Sequence, residues 1–184
     1  MNLVLFNKPY GVLSQFREKP GKRTLAEFID LPGFYPAGRL DENSEGLLLL
    51  TNDGGLQARI ANPKFKLPKT YYVQVEGVPT EERLNALRSG IKLKDGVTRP
   101  AKVSVLNQAP LAPRDPPIRV RKDIPDSWIK VTISEGKNRQ VRRMTAAIDC
   151  PTLRLFRANI GNWSVADIAP GSYQAMQVNL PKSR

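Results

Sequence analysis

The sequence contains no histidine, and Cys150 is its only cysteine among 184 residues. These shortages exclude a Cys/His zinc site and a catalytic centre of the Ser-His-Asp or Cys-His type. A lone cysteine cannot form an intrachain disulfide, which fits a reducing, cytoplasmic setting. No apolar run is long enough to span a membrane or to serve as a signal peptide. If the chain is an enzyme, a carboxylate is therefore the leading candidate for its central group.

Positive charge is present in excess. The 29 lysines and arginines outnumber the 17 aspartates and glutamates, for a formal net charge of +12. Such an excess favours polyanionic partners through counterion release and electrostatic steering. A basic surface that only keeps the protein soluble has the same composition, so charge alone favours a nucleic-acid partner without establishing one.

The densest pattern covers residues 38–51, which read GRLDENSEGLLLLT. Asp41 falls on a predicted turn between Gly38 and Gly46, and the apolar run Leu47–Leu50 predicts a buried strand directly after it. A carboxylate beside a rigid strand is well placed for chemistry, because the strand holds its geometry.

Short strands and short helices alternate along the rest of the chain. The predicted strands are Leu3–Phe6, Gly46–Leu50, Tyr71–Val75, Val97–Leu106, Trp128–Ile133 and Leu153–Ile160. One helix is predicted from the Asp53 turn to about Ala61, and a second from a capping Thr80 to about Gly90. Strands mixed with separate helices predict an α+β fold with a largely antiparallel sheet.

Residues 108–126 interrupt this pattern with five prolines. They predict a long surface loop between two strands. The basic residues of this segment are Arg114, Arg119, Arg121 and Lys122. A solvated loop and an RNA-contacting loop are equally good interpretations.

A second dense pattern covers residues 133–144, ISEGKNRQVRRM. Asn138 is predicted to cap a helix that runs to about Ile148. One face of this helix is apolar, and the arginines lie on the other; the apolar set is Val141, Met144, Thr145 and Ile148, and the basic set is Arg139, Arg142 and Arg143. Arg154 and Arg157 are expected to extend the basic surface along the next strand. A solvated basic face is the simpler interpretation, but a cationic patch near a carboxylate turn suits a phosphate-rich substrate.

An aspartate, arginines and an aromatic residue permit limited chemistry. A glycosidase needs a second carboxylate, for which Glu45 is available. Flipping a base onto the ring of Tyr71 is another option. In that case an arginine from residues 139–143 could pair with Asp41 and orient it.

Taken together, the motifs resemble those of RNA pseudouridine synthases of the RsuA/RluB type. The matching segments, in order, are Asn7–Ser14, Gly38–Gly54, Lys69–Tyr71, Glu135–Met144 and Leu155–Gly161. The resemblance implies the pseudouridine synthase fold, a mostly antiparallel sheet flanked by short helices, with two lobes and an active-site cleft between them. It also implies a single catalytic domain over residues 1–184, with no N-terminal S4 RNA-binding domain.

The same resemblance implies roles for individual residues. Asp41 would be the essential aspartate, Tyr71 would stack on the target uracil, and Arg142 would pair with the aspartate. Leu155 would pack at the site, and Arg39 would help to fill the space of the flipped base. The remaining expected substrate contacts are Lys69, Arg139, Arg143 and Arg157.

Members of the family that this sequence resembles isomerise uridine to pseudouridine without a cofactor or a metal ion. Whether the aspartate attacks C1′, adds to the base or removes a sugar proton stays open. The sequence of residues 6–10, FNKPY, is most similar to the corresponding segment in a branch of this family that acts on 23S ribosomal RNA. We therefore expect a monomeric enzyme that modifies one uridine of 23S RNA. The alternatives are a catalytically silent rRNA-binding or assembly factor on the same fold, and a synthase that acts on a different RNA.

Overall fold

The structure is a computed structural model that describes residues 1–181. The strands in chain order are β1 (Leu3–Lys8), β2 (Val12–Leu13), β3 (Arg23–Thr24), β4 (Tyr35–Pro36), β5 (Glu45–Thr51), β6 (Lys69–Glu76), β7 (Lys92–Leu93), β8 (Gly96–Val97), β9 (Lys102–Leu106), β10 (Asp126–Ile133), β11 (Thr152–Ile160), β12 (Trp163–Ser164) and β13 (Tyr173–Met176). The α-helices are α1 (Gly54–Ala61), α2 (Glu81–Ser89) and α3 (Gln140–Ala147). Within residues 1–181, no helix is long and apolar enough to cross a membrane.

The chain divides into two compact units. The first comprises Met1–Lys66 and the described residues from Asn162 onward, and the second comprises Leu67–Gly161. Inside each unit the described strand pairs are antiparallel, apart from the short parallel pair β2–β3. Antiparallel strands combined with separate helices confirm the predicted α+β class.

The first unit is built around β5. This strand pairs with β1, which pairs in turn with β13. All of Glu45–Thr51 is buried, which confirms the predicted buried strand. Leu48 and Leu50 lie opposite Phe6 and Val4 in the register of β1 and β5, and these four side chains share one core cluster. An apolar run without alternation suits such a strand, because both of its faces are covered.

The second unit has the strand order β11-β6-β10-β9. Burial alternates along β6, with Tyr71, Val73 and Val75 directed into the core. This confirms the predicted phase of that strand. The apolar side of α3 belongs to the same core, through Val141, Met144 and Ile148, as its spacing predicts.

The first two helices begin where the sequence predicts. The Asp53 carboxylate accepts hydrogen bonds from the backbone N–H groups of Gly55 and Leu56 at the start of α1. The Thr80 hydroxyl accepts one from the N–H of Arg83 at the start of α2. Each cap satisfies N–H groups that have no partner inside the helix.

The predicted cap of α3 at Asn138 is wrong. The N-cap is Arg139, in a left-handed conformation with φ of +51°, and no side chain caps the helix. Instead, Gln140 organises the preceding turn: its amide oxygen accepts from the N–H of Lys137 at 3.2 Å, and its amide nitrogen donates to the Glu135 carboxylate at 2.6 Å. The cap therefore lies one residue later than expected.

The predicted continuous strand over residues 97–106 is confirmed only at its two ends, because the chain is interrupted at residues 98–101, between β8 and β9. Thr98 still pairs with Ile91 of the β7–β8 hairpin, through hydrogen bonds in both directions, and Pro100 supplies no N–H for a ladder. The proline-rich segment is a loop between β9 and β10, as predicted. Arg154 holds this loop by donating to the carbonyl of Ala112 at 2.7 Å.

Candidate active site

Asp41 lies in the first unit, on the chain segment that joins β4 to β5. The preceding residue is held by Ser14, whose hydroxyl donates to the Leu40 carbonyl at 2.6 Å and accepts from the Leu40 N–H at 3.2 Å. On the other side, the Ser44 N–H donates to the Asp41 carbonyl at 3.0 Å. The half-buried Asp41 side chain is thus carried by a segment fixed at both ends.

Lys8, in the segment Asn7–Ser14, also holds the turn that carries Asp41. Its side chain is fully buried, at 0% exposure. The ammonium donates to the carbonyls of Pro9 and Val12 at 2.9 and 2.8 Å, and to that of Glu42 at 3.4 Å. The Gly11 N–H donates to the same Glu42 carbonyl at 2.8 Å. These contacts hold the residue that follows Asp41 against residues 8–12.

Lys8 and Ser14 are functional positions that the sequence motifs do not predict, although both belong to the segment Asn7–Ser14. The available signal was a lysine at the end of the apolar strand LVLFNK. A buried ammonium must find acceptors, so such a position predicts carbonyl groups converging on it.

Tyr71 and Leu155 lie together in the second unit. Tyr71 is opposite Val131 of β10 and Arg157 of β11. Leu155 is opposite Val73, and both Tyr71 and Leu155 belong to the core cluster that includes the apolar side of α3. Since Tyr71 is only 7% exposed, its ring is held rigidly by the core.

The prediction that Arg154 and Arg157 extend a basic surface along β11 is wrong. Arg154 and Arg157 are only 7% and 5% exposed, because the strand is buried continuously over this stretch. The Arg154 guanidinium lies 6.0 Å from the centre of the Trp128 ring. Burial, together with the nearby charge of Arg157, lowers the pKa of Lys69 at the start of β6.

The three arginines of α3 differ in environment. Arg139 is exposed, whereas Arg142 is half-buried and its Nε atom is inaccessible to solvent. The Arg143 guanidinium donates to both carboxylate oxygens of Asp95, at 2.8 and 3.3 Å. No acid lies within one helical turn of these arginines in the sequence, but the fold places Asp95 of the β7–β8 hairpin beside Arg143.

The expected site residues are distributed over both units. Asp41 and Arg39 belong to the first unit; Lys69, Tyr71, Arg139, Arg142, Arg143, Leu155 and Arg157 belong to the second. No group of three histidine, cysteine, aspartate or glutamate side chains suited to a metal ion occurs within the described range.

Comparison with known proteins identifies the family. The family model described as RNA pseudouridylate synthase matches residues 2–147. This match contains the Asp41 turn, the β6 tyrosine and the α3 arginines. The chain belongs to the RNA pseudouridylate synthase family.

Named relatives of this synthase match it over most of their length. "Ribosomal large subunit pseudouridine synthase E" of Xanthomonas axonopodis pv. citri is 62% identical, over 91% of this chain and 90% of the relative. The protein of the same name from Vibrio vulnificus is 53% identical, over 97% of this chain and 76% of the relative. The chain is accordingly an RNA pseudouridine synthase, an isomerase, and the catalytically silent alternative is disfavoured.

A solved structure described as a pseudouridylate synthase has the same fold. It superposes with a TM-score of 0.78 at 31% identity, over 96% of this chain and 70% of that one. This confirms the expected pseudouridine synthase fold.

Proposed function

We propose that this synthase converts one uridine of large-subunit (23S) ribosomal RNA to pseudouridine. The observation that carries the proposal is the Asp41 turn, whose flanking residues are held by Ser14 and Lys8. A carboxylate on a pinned turn is pre-organised for one geometry, which is what a catalytic group requires. The names of the nearly full-length relatives support large-subunit RNA as the substrate.

The proposed reaction is an isomerisation that balances without an oxidant or reductant. The bond between N1 of uracil and C1′ of ribose breaks, the base turns, and C5 bonds to C1′. The proton on C5 is then lost, and N1 ends the reaction carrying a proton. Asp41 assists the cleavage, and a second group or water removes the C5 proton.

Tyr71 and Arg142 are the proposed partners of Asp41. Tyr71 stacks on the flipped uracil. This role is supported by the packing of Tyr71 in the core of the second unit, which fixes the position of its ring. Arg142 orients the aspartate, supported by its half-buried position on a helix packed against that core. Leu155 covers the apolar part of the base, and Arg39 fills the space that the base leaves.

The remaining proposed contacts are with the RNA backbone, through Lys69, Arg139, Arg143 and Arg157. The exposed Arg139 is the simplest phosphate ligand. Arg143 must share its guanidinium between Asp95 and RNA. The buried Arg157 can contact RNA only if the substrate reaches into the protein.

We further propose that the synthase works as a monomer in the cytoplasm, where ribosomal RNA is available. Its net charge of +12 supports direct binding of RNA by the chain itself. Light scattering after size exclusion, with and without an RNA fragment, measures the stoichiometry. A stable dimer of the free protein contradicts the monomer.

The proposed function is tested with Asp41→Asn, which keeps the shape of the side chain and removes its charge. We expect no pseudouridine in 23S RNA treated with this variant, an unchanged melting temperature, and full activity for the parent. Asp30→Asn is the matched control, because Asp30 is an exposed acid of the same unit. Pseudouridine mapping of large- and small-subunit RNA reads out both the reaction and the substrate; modification of small-subunit RNA alone contradicts the assignment.

A further inference from the structure

An exposed phenylalanine lies in an acid-free basic segment of the first unit. From Gly54 to Lys66 the sequence contains Arg59, Lys64 and Lys66 and no aspartate or glutamate. Phe65 is 43% exposed, although a phenylalanine is ordinarily buried. Neither the reaction nor the family motifs quoted above assign a role to residues 59–66.

Phe65 is presented by a well-defined turn. The N–H of Phe65 donates to the Asn62 carbonyl at 3.1 Å, and that of Lys66 donates to the Pro63 carbonyl at 3.1 Å. The Asn62 side chain accepts from the Lys64 N–H at 2.9 Å. The preceding helix α1 is anchored in the unit by the buried Leu56 and Ile60. A fixed ring loses little conformational entropy when a ligand binds, so this geometry favours recognition.

One cation contacts the ring of Phe65, and two more flank this residue in the chain. The Arg59 guanidinium lies 5.4 Å from the centre of Phe65, in cation–π contact. Lys64 and Lys66, on either side of Phe65 in the chain, are exposed. Within residues 1–181 none of these three basic residues forms an ion pair, so their charges are available to an anionic ligand.

We infer that Arg59, Lys64, Phe65 and Lys66 form an auxiliary subsite for single-stranded RNA, here called the Phe65 subsite. An unpaired base of the substrate stacks on the Phe65–Arg59 pair, and the two lysines contact the adjoining phosphates. An aromatic ring among cations is the arrangement that binds single-stranded nucleic acid without sequence preference, because every base offers a π face and every nucleotide a phosphate. The inference rests on the proposed function only in taking the RNA to be the enzyme's own substrate.

The subsite is a binding element, not part of the catalytic machinery. Its loss should therefore raise the RNA concentration that gives half-maximal single-turnover rate and leave the rate at saturation unchanged. For Phe65→Ala we expect binding about 5- to 140-fold weaker, the range for loss of one stacked base. Phe65→Trp should restore binding, because it keeps an aromatic face.

The lysines are tested by salt dependence. Removal of one contact to a single-stranded phosphate should reduce the slope of log K against log salt by about 0.7. We therefore expect a shallower slope for Lys64→Gln and Lys66→Gln. Lys102→Gln is the charge control, because Lys102 is an exposed lysine on β9 of the second unit.

Tyr35→Ala is the aromatic control. Tyr35 is 61% exposed in the same unit and makes no cation–π contact in the described range. Equal weakening by Tyr35→Ala and Phe65→Ala would overturn the inference, as would a Phe65→Ala variant with parental binding. A lower saturating rate at parental affinity would overturn it too, since Phe65 would then act on the chemistry.

The two proposals fail separately. Equilibrium binding of a single-stranded RNA fragment reports the Phe65 subsite even if the parent makes no pseudouridine in ribosomal RNA. Conversely, a fully active parent with unaffected Phe65 variants leaves the proposed function intact and removes the subsite. The melting temperature of each variant is measured as well. For the Phe65 variants we expect the parental value, because Phe65 is substantially exposed.

Discussion

Arg143 and Asp95 form a two-point ion pair that joins the start of α3 to the β7–β8 hairpin. The guanidinium donates to both carboxylate oxygens, at 2.8 and 3.3 Å, and its Nε also donates to the Asn138 carbonyl at 3.0 Å. These hydrogen bonds lower the pKa of Asp95 and raise that of Arg143. Arg143 therefore has a protein partner before any RNA binds.

Asp95→Asn should release Arg143 for phosphate contact. We expect tighter RNA binding at low salt and a salt slope steeper by at most about 0.9. Glu81→Gln is the matched control, because it breaks another exposed carboxylate–arginine pair, Glu81 with Arg88 on α2. An unchanged slope in Asp95→Asn would show that Arg143 does not contact RNA.

The same pair predicts a small effect of acid. Because the pKa of Asp95 is lower in the folded protein than in the unfolded chain, its contribution to stability is fully present above the usual aspartate range near pH 4. That contribution is lost as pH falls through the lowered value. Melting temperatures of the parent and Asp95→Asn should therefore differ at neutral pH and converge in acid.

Lys8 offers a second prediction, since its ammonium is buried against three carbonyls. Lys8→Met removes hydrogen bonds from a charged donor, each worth about 1.5–3 kcal/mol, and leaves acceptors unsatisfied. We expect a clear loss of stability, together with slower turnover at saturating RNA because the Asp41 turn loosens. Chemical denaturation and single-turnover assays well below the melting temperature separate the two effects.

Lys22→Met is the control for that experiment. Lys22 also contacts Glu42, but through an exposed ion pair with the carboxylate at 2.7 Å. Exposed pairs contribute at most about 1 kcal/mol, so little change is expected. If both variants behave alike, the buried lysine has no special role in holding the turn.

Local patterns were enough to predict much of this fold. The apolar run of β5, the alternation along β6, the turn at Asp53 before α1 and the cap Thr80 follow from neighbouring residues alone. These features depend on periodicity and on side chains that bond their own backbone. At these positions the local preference of the sequence and the tertiary structure agree.

One error was local: Asn138 is a residue type that often caps helices, but its near neighbours Gln140 and Glu135 organise the turn. The other errors occurred where residues distant in the sequence determine the structure. Arg154 and Arg157 were expected at the surface, yet β11 is covered along this stretch. Asp95 is 48 residues from Arg143. Pattern analysis of one segment cannot detect partners at such separations.

Arg142 supports a third prediction that separates orientation from binding. If Arg142 orients Asp41, Arg142→Ala should reduce the rate at saturating RNA and leave the binding constant nearly unchanged. The loss should stay below the roughly 3–5 kcal/mol found for fully buried pairs, because Asp41 is only half-buried. Arg142→Lys should recover only part of the rate, since lysine lacks the planar two-point fork.

Arg139→Gln is the comparison for Arg142. Arg139 is exposed, so its removal should weaken binding and reduce the salt slope by about one unit, with the saturating rate retained. An Arg142→Ala variant that only requires more RNA would place Arg142 with the phosphate ligands and end its proposed role beside Asp41.

Tyr71 supports the last prediction, because its burial allows two interpretations. As a plain core residue, its truncation to alanine should cost about 3–5 kcal/mol of stability, and the folded fraction should keep parental activity. As the stacking residue, it should lose about 1–3 kcal/mol of interaction with the base. At 7% exposure the ring is packed with Val73 and Leu155, so we expect Tyr71→Ala to lose both stability and binding of the target uridine.

Tyr71→Phe separates these effects, since it keeps the ring and removes only the hydroxyl. We expect parental stability and nearly normal RNA binding from this variant, and a reduced rate only if the hydroxyl assists proton removal from C5. Thermal melts and single-turnover assays of both variants decide the matter. A Tyr71→Ala protein that melts far below the parent, yet turns over normally in its folded fraction, would assign Tyr71 to the core alone. In that case another side chain must stack on the uracil.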